Sequence, residues 1–110
     1  MHNTLRIVGR LIELSPMRYT PAGVPMTGFV LGHESRQIEN GIERNVMCEL
    51  QAVALGELAK TVAAAVAGME MEATGFLAAK SQRSKMPVLH LTHIKFVEGS
   101  ENGLQAEEKR

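Results

Sequence analysis

The stretch ATGFLAAKSQRSKMPVLHLTHIK, residues 73–95, carries two apolar runs around a basic polar turn and reads as the closing hairpin of a sheet. Alternation begins just before it, with Met69, Met71, Ala73 and Leu77 on one phase and Glu70, Glu72, Thr74 and Phe76 on the other. That pattern predicts a strand over residues 69–79 with Gly75 inside it, where a missing side chain often marks a bulge or a close backbone approach. Residues 80–85 are polar and basic, and Pro87 opens a last apolar strand that runs to residue 97. No acidic residue lies between Glu72 and Glu98, whereas Lys80, Arg83, Lys85, Lys95, His90 and His93 all do. This is the most polarised segment of the chain.

Working outward, residues 5–14 alternate as a strand, with Leu5, Ile7 and Leu11 on one phase and Val8, Ile12 and Leu14 on the other. Gly9 sits at the phase change, where a bulge is expected. Ser15-Pro16 ends that strand, Arg18 and Tyr19 form a loop, and Pro21 and Gly23 fit a type I turn. A second strand is predicted over residues 26–34. Asn40-Gly41 marks a hairpin, because a type I′ turn needs positive φ at both positions. A third strand follows over residues 44–55. The period then changes: Leu58, Val62, Ala65 and Val66 share one helical face, so residues 56–67 read as a short helix stopped by Gly68.

Three strands, a helix and two strands in one small domain is the order of the OB-fold, an all-β fold with one short helix and a five-stranded Greek-key barrel. The expected domain is 1–98, followed by a polar, acidic, disordered tail over 99–110.

Composition removes several classes of function. At 110 residues, 45% hydrophobic and 22% charged, the chain is a single folded domain rather than a disordered one. No apolar run approaches the roughly 18 residues of a membrane helix, and the first ten residues lack a secretory pattern, so a cytoplasmic protein without membrane contact is expected. The single cysteine, Cys48, has no internal disulfide partner and lies in an alternating apolar stretch, the setting of a buried core thiol. All twelve acidic residues are Glu, which removes the Asp on which many magnesium-dependent and acid/base sites rely. Gly-rich phosphate loops, nucleophile elbows and paired-Cys motifs are absent. His90 and His93 fall on opposite faces of a regular strand, so no metal site and no cofactor are expected, and the protein is not read as an enzyme.

The net charge is zero, but phosphate binding depends on local potential, not on the sum. OB-folds hold single strands on a sheet face and on the loops joining strands one to two and four to five. Lys80, Arg83 and Lys85 lie in the second of these loops and Arg18 and Tyr19 in the first, with Arg44 near the central hairpin extending the basic track. An ordinary solvated loop has the same composition. Of the four aromatics, Tyr19 is the best exposed stacking candidate, while Phe29, Phe76 and Phe96 suit either the core or a stacking platform.

Pro21-Ala22-Gly23-Val24-Pro25, then Phe29-Val30-Leu31, His33, Glu39-Asn40-Gly41, Gly75-Phe76 and Ser84-Lys85-Met86 occur in an order and spacing that resemble a known family. It is that of the primosomal replication protein N (PriB) of bacterial replication restart, itself similar to single-stranded DNA-binding proteins. The match spans residues 5–97. It implies an OB-fold homodimer that binds single-stranded DNA at a stalled fork, contacts the PriA helicase and works with other primosome proteins to load the replicative helicase. By position, Arg18, Lys80, Arg83 and Lys85 match basic DNA-contacting residues, although the second loop is spaced more tightly here. Ile42 and Met47 stand where enterobacterial members carry aromatic rings, and Glu34 where they carry a cation. Two readings follow: a single-strand-binding restart factor, or an interaction adaptor of the same fold with little independent affinity for DNA.

Overall fold

The computed structural model describes residues 1–97, and the tail expected over 99–110 lies outside the described residues. Strand β1 (Leu5–Leu14) serves two neighbours. Its first half runs antiparallel to β5 (Glu70–Ala79), from Leu5 opposite Gly75 to Arg10 opposite Glu70. Its second half runs antiparallel to β3 (Pro25–Glu39), from Arg10 opposite Gly32 to Leu14 opposite Phe29. The register steps between Leu11 and Glu13, three residues beyond the bulge expected at Gly9. Gly9 serves a different purpose: a Cβ there would lie 2.8 Å from the Gly32 carbonyl oxygen, so only glycine lets the strands pass this closely. The shifted bulge also brings Leu14 onto the core side with Leu5, Ile7 and Leu11.

β3 and β4 (Ile42–Leu55) form one long hairpin, paired from Met26–Leu55 to Glu39–Ile42. Asn40 and Gly41 have φ of 53° and 77°, as the type I′ turn demands. Both strands run further toward the turn than the residues 26–34 and 44–55 expected from pattern. Beyond Leu31 and Leu50 the hairpin stands clear of the core, so its sequence needs no apolar alternation to stay paired. Two cross-strand ion pairs brace this arm, Arg36–Glu43 at 3.1 Å and Arg44–Glu39 at 2.7 Å. His33 ties its base to β1: Nδ1 donates to the Val8 carbonyl at 2.7 Å, leaving Nε2 to accept from Ser35 Oγ at 2.8 Å.

β6 (Pro87–Phe96) pairs antiparallel with β5 and parallel with β4, at Ala52–Leu89 and Val53–His90. The order β1-β5-β6-β4-β3, with β3 paired back to β1, closes the long strands into a barrel. A two-residue strand β2 (Arg18–Tyr19) adds to β3 opposite Met26 and Pro25, where a loop was expected. The barrel interior is filled by Leu11, Phe29, Leu31, Met71, Leu89 and their neighbours. Helix α1 (Glu57–Ala63) packs Ala59 and Val62 into the core, and the buried Thr27 hydroxyl donates to its Ala59 carbonyl at 3.0 Å. The helix stops short of residue 67 because the following backbone is committed to β1: Gly68 N–H donates to the Leu11 carbonyl at 2.7 Å, and Leu11 N–H to that of Met69 at 2.9 Å. No helix among the described residues is long and apolar enough to cross a membrane.

A second register step, between Thr74 and Gly75, leaves Thr92 as the extra residue on β6. Leu91 and Ile94, three apart, therefore both reach the core. His90 and His93 consequently lie opposite Phe76 and Thr74 on the same outer face, not on opposite faces as regular alternation predicts. Cys48 is likewise exposed, not buried, because it belongs to the arm.

A Cβ on Gly75 would overlap the carbonyl of His90, whereas one on Gly28 would meet nothing nearer than 3.9 Å. Gly75→Ala is therefore expected to lower unfolding free energy in urea by about 1–3 kcal/mol or more. Gly28→Ala should leave it unchanged or raise it by about 0.4–1 kcal/mol.

Candidate nucleic-acid interface

The β5–β6 connection, residues 80–86, is a tied turn. Lys80 N–H donates to the Met86 carbonyl at 2.8 Å, closing the hairpin, and Ser81 N–H to that of Ser84 at 3.2 Å. The Ser81 hydroxyl accepts from the amides of Arg83 at 3.2 Å and Ser84 at 3.1 Å, and Ser84 Oγ accepts from Met86 N–H at 3.3 Å. Serines thus absorb the backbone donors of the turn. The side chains of Lys80, Arg83 and Lys85 are exposed, and among the described residues none of them takes part in an ion pair. Cations elsewhere are largely spoken for: Arg6 by Glu72 at 3.2 Å, Arg10 by Glu70 at 3.9 Å and Lys60 by Glu57 at 3.4 Å.

The other expected residues divide between the two ends of the barrel. Because β4 and β6 are parallel, the start of β6 and its loop lie at the same end as the β3–β4 arm. Arg44 sits there, but Glu39 holds its guanidinium. Arg18 and Tyr19 lie at the opposite end, beside Met26 and Pro25 at the start of β3, with Arg18 in no ion pair among the described residues. Tyr19 is 62% exposed. The structure therefore gathers Lys80, Arg83 and Lys85 into one patch and leaves Arg18 and Tyr19 across the barrel from it.

The phenylalanines separate cleanly. Phe29 is a core residue and Phe96 packs against the core, but Phe76 is 42% exposed on the outer face of β5. Its ring stacks on that of His90, with centroids 5.2 Å apart and planes 11° from parallel. Pattern offered the signal, since Phe76 falls on the polar phase with Glu70, Glu72 and Thr74. The His90 partnership was not visible from spacing, because it depends on the register across two strands. No three His, Cys, Asp or Glu residues come together to hold a metal among the described residues.

A family model described as "Another single-strand binding protein family" matches residues 3–93. The replication restart protein PriB of Bordetella pertussis is 42% identical over 98 residues, which cover 89% of this chain and 92% of that protein. The chain belongs to the PriB family. Among solved structures, PriB from Ralstonia solanacearum superposes with a TM-score of 0.78 at 30% identity, covering 88% of this chain and all (100%) of that one. The single-stranded DNA-binding protein of Thermus aquaticus matches with a TM-score of 0.72 at 25% identity, covering 89% of this chain and 51% of that one. The OB-fold read from strand order is thus the fold of the family. Ile42, Met47 and Glu34 are all exposed on the arm.

Ser81 carries the order of the basic loop. Ser81→Ala is expected to speed amide hydrogen exchange at Arg83 and Ser84 while moving the global urea midpoint little, since the two lost bonds, each worth about 0.5–1.5 kcal/mol, lie outside the core.

Proposed function

We propose that this protein is a non-enzymatic, cytoplasmic accessory factor of the primosome that acts in replication restart by binding single-stranded DNA and the PriA helicase. The observation that carries this reading is the loop of cations, Lys80, Arg83 and Lys85, in no ion pair among the described residues, on a barrel of the single-strand-binding family. Phosphates displace counterions when they meet such cations, which gives affinity without sequence readout. A strand reaching from this loop to Arg18 and Tyr19 crosses the outer face of β4 and β3, where Val53 and Gly28 lie side by side. The protein acts as a homodimer on this reading. Val8 and Ile12, 40% and 46% exposed on the outer side of β1, supply apolar area for a second copy.

One observation favours the adaptor reading. Ile38, Ile42 and Met47 leave the arm with exposed aliphatic groups, 67–70% accessible, which suit a protein contact better than stacked bases.

Fluorescently labelled poly-dT separates the two. A dissociation constant tighter than about 100 μM at moderate salt supports the DNA-binding factor, and weaker binding with retained affinity for the helicase supports the adaptor. Within the DNA-binding reading, Lys85→Ala should lower the slope of log K against log salt by about 0.7, the value for one phosphate on a single strand. Arg44→Ala should change the slope less, because Glu39 already neutralises that guanidinium. Light scattering should give twice the monomer mass for the wild type, and Ile12→Glu should shift it toward the monomer.

A further inference from the structure

We infer that Phe76, backed by His90, is a base-stacking platform on the path of the bound strand. This rests on the DNA-binding reading above and adds to it a residue and a route. Four residues lie in one lateral row across the barrel: Phe76 opposite His90, His90 beside Val53, and Val53 opposite Gly28. Residues directly opposite in a ladder share a face, and this face is the outer one, since Met71, Ala73, Leu89, Leu91, Ala52, Ala54 and Phe29 on the alternate phase fill the core. One end of the row leads along β5 to Lys80, on the same phase as Phe76 with only the methyl of Ala78 between them. The other end stops at Gly28, two residues from Met26, the partner of Arg18. The row therefore joins the two cationic ends of the barrel without crossing a carboxylate.

Phe76 is the aromatic on this row whose ring keeps access to solvent. An outward phenylalanine that only stabilised the sheet would bury its ring against its cross-strand partner, yet 42% of Phe76 remains exposed after His90 has stacked on it. His90 fixes the orientation of the ring, so a base arriving on the open side meets a plane already held in place. Asn3 adds rigidity beneath it: its side chain pairs with the backbone of Leu77 on both sides, Nδ2 donating to the carbonyl at 2.8 Å and Oδ1 accepting from the amide at 2.9 Å.

Stacking and phosphate pairing leave different traces in salt. Phe76→Ala and Phe76→Leu are expected to weaken binding of labelled poly-dT about ten-fold while leaving the slope of log K against log salt unchanged, because no phosphate contact is lost. The leucine variant keeps apolar bulk on the strand, and thermal melts of both variants separate lost stacking from lost fold. The chain contains no tryptophan, so Phe76→Trp places a single reporter on the platform. It should bind poly-dT as tightly as the wild type and lose fluorescence on binding, whereas Val66→Trp, on the exposed turn after α1, should not. Tight wild-type binding with Phe76→Leu unaltered and Phe76→Trp unquenched overturns the platform and leaves the DNA-binding reading standing. Loss of helicase binding alone in Phe76→Leu overturns it in favour of a protein contact. No wild-type binding to poly-dT overturns both.

Discussion

The barrel closes where β4 and β6 run in parallel, a contact with only two register pairs, Ala52–Leu89 and Val53–His90. Every other junction among the long strands is antiparallel. A parallel pair needs a crossover to return the chain to the same end, and here α1 and β5 provide it. The contact is short, so its strength comes from what lies beneath: Leu89 is fully buried, Ala52 and Ala54 pack against it from β4, and α1 covers the interior. On the outside, the same two pairs fix where β6 begins and hence where the basic loop projects. The loop's position relative to the arm follows from this register, and together with the β5–β6 and β3–β4 ladders it aligns Phe76 with Val53 and Gly28.

Charge on this molecule is segregated, not absent. Glu70 and Glu72 of β5 and Glu39 and Glu43 of the arm are each matched with a nearby arginine, so part of the zero net charge is reached through local pairs. Solvent-exposed pairs of this kind add little to stability, about 0–1 kcal/mol each. Their larger effect is to flatten the potential locally, along β1, β5 and the arm. The cations of residues 80–86, in no ion pair among the described residues, set the local field within a screening length of about 8–10 Å at ordinary salt.

Strand order and the central hairpin were legible because they rest on local chemistry: alternation, the helical period at Leu58 and Val62, and the positive φ required at Asn40 and Gly41. What pattern missed depends on partners far along the chain. Alternation stops the second strand at Glu34, because Ser35 to Gln37 lack the apolar phase that burial would require, yet a two-stranded arm wet on both sides needs only its ladder and its ion pairs. Cys48 was placed in the core by the same assumption. The bulge at Thr92, which brings His90 and His93 to one face, is invisible without the register against β5. Of the site, the basic loop could be read from the absence of acids between Glu72 and Glu98. Phe76 could have been singled out from its polar phase, but its stack with His90 could not.

Asn3 bonds both backbone groups of Leu77 and so continues β1's side of the barrel one step past the last residue of that strand's ladder. The first residues of the chain are thereby brought to the strand that carries Phe76, one residue from it in sequence at Leu77. For anyone producing this protein, the choice of fusion end has structural weight: an affinity tag ahead of Met1 is tethered within a few residues of β5, the strand that carries Phe76. Its removal belongs in the preparation before affinities are compared.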